Sequence, residues 1–137
     1  MSEVKMPRIA LGAWAWGNDG TFGDHYTADS LREVYETAMA NGLNLWDTAT
    51  VYGTHAQAPR AIRGIFTSLI IYSSLSLFLY IFFKRKVLGE LIRNTKREDV
   101  ILSTKFTPQI EDGTPQAMEH MLNGSLNTMH TDYMDIY

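Results

Sequence analysis

The sequence contains no cysteine among its 137 residues, so disulfides and thiolate metal sites are excluded. It also lacks a basic excess, because its net charge is −3, and nothing favours nucleic acid as a partner. The first residues carry no long apolar run of the signal-peptide kind. The lack of cysteine leaves the compartment open. We expect a cytoplasmic protein, with a membrane location as the alternative if segment 65–83 spans a bilayer.

Two further patterns are missing. The histidines have no metal-ligand spacing on one helical face, so we predict no metal site and surface or loop positions for His25, His55, His120 and His130. A GxGxxG phosphate loop is also absent, although Gly12 and Gly17 flank a short aromatic segment in which the backbone can turn tightly. A Rossmann dinucleotide site is therefore not supported.

Apolar segments alternate with helical patterns along the sequence. Strands are predicted at residues 8–12, 43–46, 100–106 and 133–137. Helices are predicted from a Thr27 cap to a stop at Asn41 and Gly42, over residues 87–93, and from Thr114 and Pro115 onward. Near-continuous apolar strands in this order indicate an α/β fold with a parallel sheet covered by helices.

Helical periodicity also predicts which faces are buried. In the first long helix the apolar stripe consists of Leu31, Val34, Tyr35, Ala38 and Met39. In the last helix the corresponding face consists of Met118, Met121, Leu122, Ser125, Leu126 and Met129. Both stripes are expected to pack on the sheet.

The C-terminal ends of two predicted strands carry ionisable side chains. Asp47 and Tyr52 follow the second strand, and Lys105 ends the third. Chemistry in α/β proteins takes place at this end of the strands, so we predict that the three side chains form a proton-donating site. A purely structural role stays open for each residue. Asp47 would bond to the backbone of a turn, Tyr52 would pack with its hydroxyl in water, and Lys105 would be a solvated strand end.

The motifs around these residues together resemble the first half of an aldo-keto reductase. The segments that carry the resemblance are DTATVYG at 47–53, VLGE at 87–90, KREDVILSTKF at 96–106, Ser125-Leu126 and TDYMDIY at 131–137. The combination of the aspartate–tyrosine–glycine element with the later serine–threonine–lysine is specific, whereas either piece alone would be weak. The resemblance covers most of residues 7–53 and 87–137.

The resemblance implies a (β/α)8 TIM barrel that uses NADPH to reduce small aldehydes and ketones, with this chain supplying about four βα units. The family's catalytic tetrad is Asp, Tyr, Lys and His, and Asp47, Tyr52 and Lys105 match its first three members. It also implies cofactor contacts at Asp47 and in the loop after the first strand, at Gly12, Ala13 and Trp14. Without that resemblance, Trp14 and the neighbouring Trp16 are more simply interpreted as packing residues.

The family's histidine follows the fourth strand, and most of its contacts to the phosphates and adenosine come from the second half of the barrel. We therefore expect residues 1–137 to be the N-terminal half of a barrel, incomplete or inactive alone, with weak or no NADPH binding. The unpaired outer edges of the first and fourth strands are expected to favour self-association.

Residues 54–86 depart from the family pattern, which has only a short turn at this place. Segment 65–83 contains no charge, proline or glycine and is about as long as a bilayer-spanning helix requires. We expect an extra apolar helix here, after the second strand. Three interpretations stay open. The segment is a single-pass membrane helix in a non-catalytic fragment, with Asp47 and Lys105 on opposite sides of the bilayer; it is a lid over the site; or it is translated non-coding sequence or a sequence-assembly error.

Overall fold

The computed structural model describes residues 6–16, 22, 26–50, 52, 87–108 and 112–137. Within these ranges, one parallel sheet contains β1 (Leu11–Gly12), β2 (Leu45–Asp47) and β3 (Ile101–Ser103), in that order. Helix α1 (Ala28–Ala40) lies between β1 and β2 in the chain, α2 (Val87–Ile92) precedes β3, and α3 (Pro115–Met129) follows it. The parallel pairing and the alternating order confirm the predicted α/β class.

The described strands are shorter than the predicted ones. Residues 8–10 are exposed and lie outside the ladder, which begins at Leu11 beside Trp46. The predicted strand at 133–137 is present as one parallel bridge between Ser103 and Ile136. The described sheet therefore contains three strands and the start of a fourth.

Helix α1 begins and ends where its capping residues predict. The Thr27 hydroxyl accepts a hydrogen bond from the Ser30 amide at 3.1 Å, and the Ser30 hydroxyl accepts one from the Thr27 amide at 2.9 Å. At the other end Asn41 is the C-cap, and Gly42 has a φ of +76°, the left-handed conformation that glycine adopts without steric cost. This capping box and glycine stop confirm the predicted helix boundaries.

The predicted buried stripes are confirmed in part, because Met39, Leu122, Ser125 and Leu126 are half-buried. Leu31, Tyr35 and Ala38 are buried in α1, as are Met121 and Met129 in α3. The prediction is wrong for Val34 and Met118, which are 54% and 45% exposed. Each lies one residue, about 100° around the helix, from the buried residue beside it, Tyr35 or Ala117.

The core lies between the sheet and the helices and is centred on the middle of the strands. Trp46 of β2 and Leu102 of β3 are 1% and 0% exposed and lie side by side in the sheet. The rings of Tyr35 and Trp16 each pack 5.2 Å from the Trp46 ring. The residues that follow Trp46 and Leu102 in the chain, Asp47 and Ser103, are therefore placed by fully buried neighbours.

Arg97 ties the C-terminal segment to β3. Its guanidinium donates to the Thr131 hydroxyl at 2.8 Å, to the Tyr133 carbonyl oxygen at 3.0 Å and to the Asp135 carboxylate at 2.7 Å. The same Asp135 oxygen accepts the Leu102 amide at 2.9 Å. This network fixes where the segment after α3 meets the sheet.

The atypical stretch predicted at 54–86, with its apolar helix at 65–83, lies outside the described residues. Among the helices that are described, none combines the length and the apolar character needed to cross a bilayer.

Gly89 lies where α2 packs on α3, and it provides a test of this contact. A Cβ added there would lie 2.6 Å from the Thr128 carbonyl oxygen, a backbone atom that cannot rotate away. We expect Gly89→Ala to lower the free energy of unfolding by about 1–3 kcal/mol, as overpacking does.

Gly124 of α3 supplies the matched control, because a Cβ added there meets no atom within 4 Å. Gly124→Ala is expected to raise the free energy of unfolding by about 0.5–1 kcal/mol through its better helix propensity. Urea denaturation measures both variants, and a Gly89→Ala variant at least as stable as the wild type would contradict the close approach at Gly89.

Candidate active site

The ends of the three strands bring the predicted site residues to one edge of the sheet. Gly12 and Asp47 are the last residues of β1 and β2 and are paired partners. Asp47 is in turn paired with Ser103, the last residue of β3. Lys105 lies two residues beyond Ser103, and side chains two apart along an extended chain point to the same side. The parallel sheet thus explains why Lys105 reaches Asp47.

Asp47 and Lys105 form the closest ion pair of this edge. The Lys105 Nζ atom lies 2.7 Å from Oδ1 and 2.6 Å from Oδ2 of Asp47. It also donates to the backbone carbonyl oxygen of Thr48 at 3.1 Å. The ammonium is therefore held by a carboxylate and a carbonyl that both belong to the end of β2.

Tyr52 completes the cluster from the loop after β2. Its hydroxyl oxygen accepts a hydrogen bond from Lys105 Nζ at 3.3 Å. Its ring is stacked on that of Trp14, with 5.9 Å between the centroids and 16° between the planes. Because an ammonium has no lone pair, Lys105 can only donate, which leaves the phenol's own hydrogen for another acceptor.

The surroundings of Lys105 favour its charged form. Partial burial by itself would lower the pKa of the ammonium, but the hydrogen bonds to Asp47 and Tyr52, together with the negative charge of Asp47, raise that pKa above its ordinary value. The side chains of Lys105 and Asp47 are 46% and 30% exposed, so solvent screens their attraction. Lys105 is thus a charged hydrogen-bond donor at neutral pH.

The structure brings the predicted cofactor residues to the same edge but in different environments. Gly12 and Trp14 are exposed, Trp14 by 49%. Ala13 is buried, its amide donates to the Asp47 carbonyl oxygen at 2.9 Å, and its carbonyl accepts the Trp16 amide at 3.0 Å. Trp16 packs on the core, as the packing interpretation predicts, whereas Trp14 lies at the candidate site.

Two contributions at the site are not predicted from the sequence. The Ser103 hydroxyl donates to Asp47 Oδ1 at 3.0 Å, and the Thr48 carbonyl oxygen accepts from Lys105. The spacing of Ser103 two residues before Lys105 was a usable signal, because it places both side chains on one side of the strand. The Thr48 carbonyl has no signal in the sequence, since any residue carries that group.

Replacing the Asp47 carboxylate tests what holds Lys105 charged. In Asp47→Asn the folded-state pKa of Lys105 is expected to fall, because burial persists while the negative charge is lost. A raised lysine pKa stabilises the fold below the ordinary lysine value and stops doing so as the pH rises through the raised value. The free energy of unfolding of the wild type should therefore approach that of Asp47→Asn as the pH rises through the raised pKa of Lys105.

An NMR titration of the Lys105 side-chain carbon next to Nζ measures the pKa directly. Asp29→Asn is the matched control, because Asp29 pairs with Arg32 in the first turn of α1. An unchanged Lys105 pKa in Asp47→Asn would show that the pair does not form in solution.

Comparisons with known proteins show which family the sequence resembles. A model of the aldo/keto reductase family matches residues 8–68 and 82–137. Pyridoxal reductase of Arabidopsis thaliana, described as chloroplastic, is 40% identical over 142 aligned positions that cover 99% of this chain and 33% of that protein. An aldo-keto reductase of Strobilurus tenacellus is 24% identical over 131 positions, covering 93% of this chain and 30% of that protein.

The fold is similar to that of a solved family member. The crystal structure of a thermostable aldo-keto reductase bound to the inhibitor epalrestat superposes with a TM-score of 0.63 at 20% identity, covering 97% of this chain and 38% of that one. This chain spans about a third of the length of the curated relatives it matches. Since the family model matches most of the sequence in two consecutive stretches, the chain belongs to the aldo/keto reductase family.

Proposed function

We propose that this chain contributes the proton-donating part of an NADPH-dependent reductase that converts a small aldehyde or ketone to an alcohol. Its family and the aldo-keto and pyridoxal reductases among its relatives support an oxidoreductase function. The observation that carries the proposal is the contact series from Asp47 through Lys105 to Tyr52, at 2.6 Å and 3.3 Å.

The proposed chemistry follows from what a carbonyl group needs when it is reduced. Hydride addition to the carbonyl carbon leaves negative charge on the oxygen, which must receive a proton. A free phenol, with a pKa of about 10, is a poor donor at neutral pH. An ammonium beside the phenol stabilises the phenolate that proton transfer leaves behind.

The direction of the hydrogen bonds assigns a role to each residue. Tyr52 would transfer its hydroxyl proton to the substrate oxygen and later recover a proton from solvent. Lys105 donates to the Tyr52 oxygen and so favours the phenolate, and Asp47 keeps Lys105 charged and directed at that oxygen. We thus propose a distinct function for each of Asp47, Tyr52 and Lys105.

NADPH would supply the hydride when bound, and Gly12, Ala13, Trp14 and Asp47 are the residues that we propose to lie beside its nicotinamide. The exposed ring of Trp14 next to Tyr52 fits a flat heteroaromatic group, and Asp47 carries acceptor oxygens for an amide. Phosphates need backbone amides or free cations, and the sequence has no glycine-rich phosphate loop. We propose that the phosphate contacts come from other parts of the enzyme.

We further propose that residues 1–137 form the N-terminal part of a (β/α)8 TIM barrel with an atypical stretch at 54–86, within which the family model leaves residues 69–81 unmatched. The parallel sheet with its site at the C-terminal strand ends fits that architecture. Self-association through open strand edges and a cytoplasmic location both stay predictions.

The substrate class we propose to test first is that of planar aromatic aldehydes. The relative from Arabidopsis thaliana is named a pyridoxal reductase, and pyridoxal is an aldehyde on an aromatic ring. An aromatic wall, Trp14, flanks Tyr52 on this chain. An aliphatic aldehyde of similar size provides the comparison.

Tyr52→Phe tests the proton donor in a complete barrel that carries this chain as its first part. We expect kcat for pyridoxal to fall by at least ~100-fold, the usual contribution of general acid catalysis, with the Kd for NADPH unchanged. Tyr133→Phe is the matched control, because Tyr133 stacks on Arg97 and a phenylalanine ring keeps that contact. Full turnover by Tyr52→Phe would remove Tyr52 from the mechanism.

NADPH binding by residues 1–137 alone tests how much of the cofactor site this chain provides. Because the proposed contacts reach only the nicotinamide end, we expect weak or no binding in a fluorescence titration. A Kd tighter than about 1 μM, equivalent to roughly −8 kcal/mol, would show that the chain also provides the phosphate contacts.

A further inference from the structure

Ser103 is the residue of β3 that lies directly across the sheet from Asp47. Its hydroxyl donates to Asp47 Oδ1 at 3.0 Å, the same oxygen that Lys105 contacts at 2.7 Å. We propose that Ser103 is a positioning residue that fixes the rotation of the Asp47 carboxylate and thereby holds Lys105 on the Tyr52 hydroxyl. This inference rests on the proposed function for its catalytic consequence, but its structural content stands on these contacts.

The strand register places Ser103 beside Asp47. Asp47 and Ser103 are paired residues at the ends of two parallel strands, and both follow fully buried neighbours, Trp46 and Leu102. The two backbones therefore cannot slide relative to each other without breaking the core. Because Ser103 and Lys105 are two residues apart, their side chains reach the same carboxylate from the same strand.

The Asp47 carboxylate needs a restraint other than its ion pair with Lys105. Lys105 and Asp47 are 46% and 30% exposed, and partly exposed pairs of this kind are loosely held because water competes for both groups. A flexible lysine can follow a carboxylate that rotates. The short Ser103 side chain, by contrast, is anchored to the sheet, so its hydrogen bond selects one orientation of Asp47.

The Ser103 hydroxyl can be removed without disturbing the backbone. The Ser103 carbonyl oxygen accepts the Thr48 amide at 2.8 Å, and this bond does not involve the side chain. Ser103→Ala therefore removes one donor to Asp47 and leaves the connection between the strand ends. Ser103→Thr retains a hydroxyl at the same carbon.

The experiment measures hydrogen exchange of the Lys105 ammonium by NMR in the 137-residue chain. We expect exchange in Ser103→Ala to be about fivefold faster than in the wild type, the factor that corresponds to one net hydrogen bond. Ser103→Thr should restore the wild-type rate. Ser125→Ala is the matched control, because the Ser125 hydroxyl donates to the Met121 carbonyl within α3, and it should leave the rate unchanged.

The outcomes separate this inference from the proposed function. The role of Ser103 would be overturned if the Lys105 ammonium exchanged equally fast in the wild type and in Ser103→Ala. It would also be overturned if ammonium exchange in Ser103→Thr were as fast as in Ser103→Ala while the Thr48 amide signal stayed unshifted. If Ser103→Ala does not fold, Ser103→Thr against Ser103→Cys, a residue of similar size with a weak donor, gives the same comparison. In the complete barrel, Ser103→Ala should lower kcat several-fold and leave KM unchanged, whereas only Tyr52→Phe bears on the proton donor itself.

Discussion

The arrangement of the site depends on the ion pair between Asp47 and Lys105. Each side chain comes from the end of a different strand, so the pair forms only when β2 and β3 are paired in one register. The pair holds the flexible Lys105 side chain in one orientation. In that orientation the ammonium also donates a hydrogen bond to the Tyr52 hydroxyl oxygen. Without the carboxylate, partial burial would work against the charge on Lys105.

The core supplies the rigidity that this partly exposed pair lacks. Trp46 and Leu102 are buried immediately before Asp47 and Ser103, and the rings of Tyr35 and Trp16 pack on Trp46. A shift of one residue in register would move these large side chains to the opposite face of the sheet. The residues of the apolar core and those of the polar edge are therefore consecutive in the same strands. The register that buries the core residues also brings the edge residues together.

Local signals in the sequence predicted the elements well where one residue type determines the backbone. Thr27 and Thr114 accept amides at the starts of α1 and α3, and Gly42 adopts a positive φ at the end of α1. Burial was predicted less well at Val34 and Met118, because an apolar residue at the border of a stripe is buried only if a neighbour covers it. Strand lengths were overestimated, since an apolar run does not show how far its partner strand continues.

The sequence by itself determined the α/β order, the helix caps, the family and the three ionisable residues proposed for the site, because each depends on residue type and local spacing. Only the tertiary structure decided that Lys105 contacts both oxygens of Asp47, that Trp14 stacks on Tyr52, and that Ser103 shares the carboxylate. These contacts join residues about 40 to 60 positions apart in the chain. Their distances depend on strand register and core packing, which no local pattern encodes.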